Sequence, residues 1–385
     1  MKNVILITMD AVRPDHLSCY GYDKIETKAI DEIAKEGLVF RNVIATSCLT
    51  PVAHASILSG KNPDKTGVRD PFSKVQTRLI SNILKENGYT TAGFTGIDFL
   101  SRRVGFDTGF DVFDEPTDET AWKKKTYKSD GRVLDSVWGN WWIPKMLDFI
   151  EKNKSIPFFI WGHYFNVHFH AEKQMLKDGK LKKGVLSDNA YYDAKMVYMD
   201  ENLFKPMIKT LKDNGLRDDT TIVITSDHGE SFQYDYPQHR TLYDSDLKIP
   251  LIIKDKDLPH HYINKTARSI DIVPTLIKLL DIKTNEKFDG KDLCWNAIFD
   301  FDNVIAYSEE LFPHRGPGIL QSIRTDDVKV IYNRSKDTVE VYNLRNDPEE
   351  KHNILDETYE SMKNTLTTKE EHKIKERLKR LGYIE

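Results

Sequence analysis

Two short runs constrain this chain more than any other feature: VILIT, Val4 to Thr8, and TIVITS, Thr221 to Ser226. Both are apolar without alternation, the pattern of strands covered on both faces. Each run leads directly into polar chemistry, Asp10 after the first and Asp227-His228-Gly229 after the second. Strands of this kind build α/β sheets, in which ligands bind beyond the carboxyl ends of the strands. A carboxylate at such a position is costly unless something neutralises it.

The rest of the chain supports that frame. Further strand candidates are Val39 to Ile44, Thr90 to Phe94, Phe158 to Gly162 and Leu251 to Ile253. They alternate with amphipathic stretches such as Lys28 to Glu36, Arg78 to Asn87 and Met196 to Asn214. This alternation predicts an α/β fold, a doubly wound mixed sheet with helices on both faces. After about Phe301 the texture changes: AYSEEL, SIRTDDVKVIYN and TVEVYNL are short, alternating and separated by turn residues. These predict a small antiparallel sheet, followed by a charged helix over Thr358 to Leu381. The expected division is 1–300 for the α/β catalytic domain and 301–385 for the C-terminal sheet plus helix.

Composition narrows the class of partner. The 385 residues carry a net charge of -4 and contain no basic run, so nothing attracts nucleic acid or an anionic membrane. An anionic substrate must be held by a local device such as a metal. Three widely spaced cysteines read as free thiols of a reducing compartment. No signal-like start and no apolar span long enough for a bilayer are visible, so a cytoplasmic location is expected. A homo-oligomer is left open.

Asp10, Asp227 and His228 can share one divalent cation; the bland reading is that Asp10 caps a helix and DHG is a turn. The imidazole favours Zn²⁺ or Mn²⁺ over Ca²⁺ or Mg²⁺. One ion is expected, with room for a second. Thr50 precedes Pro51 and the helix-like VAHASILSG, so it reads as a helix N-cap. The sharper reading makes its hydroxyl a fourth ligand, activated as a nucleophile at a helix N-terminus that receives an anion. Among the histidines, His163 and His170 read as structural, and His260 and His261 as solvated. Asp200, in the helical pattern YDAKMVYMDENL, also reads as structural.

NVILITMDAVRPDHLSCYG, the segment ending VAHASILSGKNPDKTGV, FFIWGHYFNVHFH, VITSDHGE, HRTLYDSDLKIPLII and VYNLRNDPEEKHNI together resemble the sulfatase branch of the alkaline phosphatase superfamily. The resemblance implies a hydrolase of anionic small-molecule esters. It ranks His168 and His239 as catalytic candidates beside Thr50, and His54, in the place of the family's arginine, as substrate-binding. Sulfatases carry a Cys or Ser in a C/S-x-P-x-R signature, oxidised to formylglycine; here Thr50 stands at that position, and threonine cannot form the aldehyde. Ala11 stands where a second acidic ligand is expected. These departures resemble the phosphodiesterases and phosphonate monoester hydrolases of the superfamily. The leading expectation is therefore a phosphate or phosphonate ester hydrolase with a covalent threonine intermediate. The alternatives are a sulfuric ester hydrolase without formylglycine and an inert homologue.

Overall fold

The computed structural model describes residues 1–116, 141–167, 188–232, 239–294, 304–312 and 316–355. His168, His170 and the expected terminal helix lie outside them. Eight strands form the main sheet: β1 (Asn3–Met9), β2 (Gly37–Ile44), β3 (Thr90–Thr95), β4 (Val112–Asp114), β5 (Phe158–Tyr164), β6 (Thr220–Ser226), β7 (Lys248–Lys254) and β8 (His261–Arg268). Their spatial order is β4-β3-β5-β1-β6-β7-β2-β8. Only β7 runs against its neighbours, pairing antiparallel with both β6 and β2. The sheet is thus the doubly wound mixed type expected. Six of its strands coincide with sequence candidates. The two that were missed, β4 and β8, are the edge strands. β8 (HYINKTAR) shows an edge strand's polar texture, exposing His261, Asn264 and Lys265.

Each face of the sheet carries its own core. On one face, Leu6, Trp161 and Val223 pack under α1 (Thr50–Ser59), whose Val52, Ala55, Ile57 and Leu58 are all buried. On the other face, Ile5, Ile7, Ile160, Ile222 and Ile224 lie under Met146, Met196, Leu203 and Met207. The central strands β1, β5 and β6 are buried at every position. That two-sided covering removes the alternation from their sequences, and each fully buried Leu or Ile contributes roughly 1.5–3 kcal/mol.

A second, four-stranded antiparallel sheet follows: β9 (Ala306–Glu310), β10 (Leu320–Arg324), β11 (Val328–Asn333) and β12 (Thr338–Asn343), in order β12-β11-β10-β9. It is bonded to the loop that carries Thr50. Ser308 Oγ donates to the Ala45 carbonyl at 2.6 Å, and Glu309 N–H donates to the Thr46 carbonyl at 2.9 Å. Below, the buried Lys329 ammonium bridges Asp244 at 2.9 Å and Glu350 at 2.8 Å, while Arg324 holds Asp244 at 2.9 Å.

Candidate metal centre

Register brings the acidic residues together. β1 pairs in parallel with β6, Met9 opposite Ser226, so Asp10 and Asp227 leave adjacent strands side by side. One ligand atom each from Asp10, Asp227 and His228 lies within 4.8 Å of the others, and all three residues are buried. The Ser226 hydroxyl tethers both exits, donating to the Met9 carbonyl at 2.5 Å and receiving Val12 N–H at 2.9 Å. Ala11 takes a left-handed conformation, φ 57°, that turns its N–H toward Asp227 Oδ1 at 3.1 Å. A non-glycine residue in that region is strained by roughly 1–2 kcal/mol.

Thr50 arrives from the far side of β6 and β7. It is the first residue of α1, with Leu49 as the cap residue and no side-chain capping bond. The expected capping role is therefore replaced: Thr50 Oγ1 lies 3.2 Å from His228 Nε2. His228 Nδ1 donates to the Gly229 carbonyl at 2.8 Å, which leaves Nε2 as the nitrogen facing Thr50. Gly229 is required by close approach, since a methyl group there would overlap the Ser245 carbonyl oxygen.

The fit to a cation follows from what these groups lack. Both carboxylate oxygens of Asp10 and Oδ2 of Asp227 are buried and accept no hydrogen bond among the described residues. Native proteins rarely leave such groups unsatisfied. Burial, reinforced by the neighbouring Asp227 charge, pushes the Asp10 carboxyl well up. Burial opposes ionisation of Asp227 too, yet the imidazoles of His228, His54 and His163 outweigh it and hold that carboxyl down to about 2. A divalent cation relieves both carboxylates at once, and the mixed oxygen and nitrogen donors suit Zn²⁺ or Mn²⁺.

Other candidates fall at different depths. His239 stacks on His228 with ring centroids 4.0 Å apart, and its Nδ1 lies 3.7 Å from Glu230. Burial, with the His228 charge beside it, lowers its pKa well below the ordinary value. His54, expected to meet substrate, is fully buried one helical turn below Thr50. Its Nδ1 donates to the Thr50 carbonyl at 2.8 Å and its Nε2 lies 3.0 Å from Thr8 Oγ1. Asp200 receives the Ala29 and Ile30 N–H groups at 3.0 and 2.8 Å, a structural role as read from sequence.

Sequence reasoning missed two residues. His163 read as structural, yet its Nε2 lies 3.3 Å from Asp10 Oδ2. The signal would have been register: His163 on β5 faces Thr8 on β1, and no sequence pattern reveals which strands pair. Glu310 ends β9 and accepts Cys48 Sγ–H at 3.3 Å. Burial pushes its carboxyl up to about 7.

Comparisons with known proteins bear on the family and the fold. The family model described as Sulfatase matches residues 2–282, and that of the N-sulphoglucosamine sulphohydrolase C-terminal region matches 229–377. An ulvan-active sulfatase of Formosa agariphila is 24% identical over 328 residues, covering 76% of this chain and 64% of its own length. The chain thus spans less than two thirds of that relative. An arylsulfatase of Clostridium perfringens is 22% identical, with 76% and 77% covered. Among solved structures, one in complex with its substrate D-glucosamine-2-N,6-O-disulfate superposes with TM-score 0.77 at 19% identity, covering 99% of this chain and 97% of that one. A phosphonate monoester hydrolase of Agrobacterium radiobacter gives TM-score 0.76 at 17% identity, covering 100% and 96%.

Proposed function

Because the chain belongs to the sulfatase family, we propose that it is a metal-dependent ester hydrolase in which Thr50 replaces formylglycine as the nucleophile, with sulfuric esters as the preferred substrates. The observation that carries this reading is the placement of Thr50 Oγ1 at 3.2 Å from His228 Nε2, beside the unsatisfied carboxylate oxygens of Asp10 and Asp227. Asp10, Asp227, His228 and Thr50 would hold the cation. Bound there, it lowers the pKa of a hydroxyl and offsets charge on ester oxygens.

Thr50 Oγ attacks the sulfur, the ester alcohol leaves, and water later releases the sulfate from the threonine. The N-terminus of α1 favours the anionic group electrostatically. His54 fixes the Thr50 carbonyl and so the start of that helix. His239, stacked on His228, is the first candidate to assist the leaving alcohol, and its lowered pKa suits an uncharged imidazole that hydrogen-bonds the transferring group. His168 is the second candidate for that step.

The sulfuric ester preference rests on the relatives, whose names are predominantly those of sulfatases. A second reading, phosphate or phosphonate monoesters and diesters, draws on Thr50 itself, which offers a hydroxyl where an aldehyde hydrate would stand. Rates on p-nitrophenyl sulfate, p-nitrophenyl phosphate, bis-p-nitrophenyl phosphate and a phenylphosphonate ester, with Zn²⁺ or Mn²⁺, separate the two. Faster phosphorus ester turnover would transfer the assignment to the second reading. Thr50→Ala is expected to reduce kcat by about 10³-fold or more, as removal of a nucleophile does. Unchanged kcat would remove Thr50 from the mechanism, and no turnover of any ester would leave an inert binding protein.

A further inference from the structure

The hydrogen bonds around Thr8 fix more than the position of that side chain. Thr8 Oγ1 lies 3.0 Å from His54 Nε2, 3.1 Å from His163 Nδ1 and 3.1 Å from Trp161 Nε1. A hydroxyl has one hydrogen to give, and its oxygen can accept two. The indole N–H can only donate, so it uses one acceptor site. His54 Nδ1 faces the Thr50 carbonyl at 2.8 Å, and a carbonyl can only accept, so that nitrogen carries the hydrogen of the neutral ring. His54 Nε2 is then an acceptor and takes the single Thr8 hydrogen. What remains for His163 Nδ1 is to donate to Thr8. The lone pair of His163 is thereby placed on Nε2.

That nitrogen lies 3.3 Å from Asp10 Oδ2. Two acceptor atoms lie side by side in a fully buried pocket, and both lack a hydrogen bond among the described residues. Two unshared acceptors so close repel each other, and a metal ion held by both relieves this while also satisfying Asp227 Oδ2. His54 does not share this property, since both of its nitrogens are already engaged.

We infer that His163 Nε2 is a metal ligand, a second imidazole beside His228, held in its ligating tautomer by the chain Thr50 carbonyl, His54, Thr8. The inference rests on the metal-centre reading above and deepens it. The donor set becomes Asp10, Asp227, His163, His228 and the Thr50 hydroxyl. Two imidazoles move the preference further from Ca²⁺ and toward Zn²⁺ or Co²⁺.

The test is calorimetric Zn²⁺ titration, with Co²⁺ absorption and X-ray absorption spectra of the loaded protein. In His163→Asn, the amide nitrogen takes the place of Nδ1 and can still donate to Thr8, while nothing replaces Nε2. We expect Zn²⁺ affinity to fall by at least about 100-fold, the upper end of what outer-shell changes cost. The Co²⁺ visible bands should change, and the imidazole scattering should fall from two rings to one. Thr8→Val, which frees His163 to adopt the other tautomer, should weaken Zn²⁺ by about 10-fold. Far-UV circular dichroism and thermal unfolding in chelator establish that both variants fold. Wild-type affinity and spectra in folded His163→Asn would overturn the inference and leave the four-ligand centre standing. Failure of the wild-type protein to bind Zn²⁺ or Co²⁺ would overturn the metal-centre reading and this inference with it.

Discussion

Replacing Asp10 by Asn should make the ion-free protein more stable while removing its capacity for metal. In the absence of a cation, the Asp10 carboxylate accepts no hydrogen bond among the described residues and lies 3.3 Å from His163 Nε2. Asparagine has the same shape, carries no charge and can donate from its amide to that nitrogen. Removing an unsatisfied buried charge recovers about 1–3 kcal/mol, and the new hydrogen bond adds about 0.5–1.5. We therefore expect Asp10→Asn to stabilise by about 2–4 kcal/mol in chelator at pH 7. With an unfolding entropy of about 2.1 cal/mol/K per residue, a chain of 385 residues has about 0.8 kcal/mol/K, so Tm should rise by about 3–5 °C. The pH dependence has a definite sign. A carboxyl whose folded pKa lies above its unfolded value of 3.8 contributes stability below pH 3.8, and that contribution is lost as pH rises toward the folded pKa. Wild type should thus lose stability relative to Asp10→Asn from about pH 4 upward. Zn²⁺ at about 1,000 times Kd reverses the order, because wild type then gains about 4.1 kcal/mol and the variant does not. Differential scanning calorimetry with and without Zn²⁺ measures all of this. Equal or lower stability of Asp10→Asn in chelator at pH 7 would refute the reasoning, since the carboxylate would then be satisfied by the protein itself.

Three further outcomes follow from the same geometry. Lys329→Met leaves Asp244 and Glu350 as buried, adjacent carboxylates and should destabilise by about 3–5 kcal/mol, read by urea unfolding. Ala11→Gly relieves the left-handed backbone and should raise stability by up to about 1 kcal/mol in the same assay, with metal affinity unchanged. Thr50→Ser keeps a hydroxyl and should retain measurable kcat, whereas Thr50→Val should not; equal loss in both would point to packing rather than nucleophilicity.

The fold was readable because its strands announce themselves by burial on both faces. VILIT and TIVITS contain no alternation, and both proved to be central strands. The exits of those strands marked Asp10, Asp227 and His228 for the same reason. Less was readable where a residue's role depends on which strands become neighbours. His163 sits on a strand that looks like any buried strand, and its closeness to Asp10 follows from β5 lying against β1. Glu310 is similar: AYSEEL predicts a strand, but only the docking of β9 against the Thr50 loop buries its carboxyl. Thr50 itself was placed correctly at a helix start, one residue inside the position expected.

The order of strands in the sheet also sets a timetable for synthesis. β2 carries the chain toward Thr50, yet its two sheet neighbours are β7 and β8, about two hundred residues later in the chain. Asp10 likewise waits for Asp227. A ribosome that has made the first half of the protein has produced Asp10 on β1 beside β5, but Thr50 follows a strand, β2, that still has no partner. Long-range pairings of this kind fold slowly and leave strand edges open to misassembly. The growing chain gains in return a safeguard against early chemistry. Until β6 emerges Asp10 lacks Asp227 and His228, and until β7 emerges β2 has no seat from which to bring Thr50, so the proposed centre is incomplete in a nascent chain.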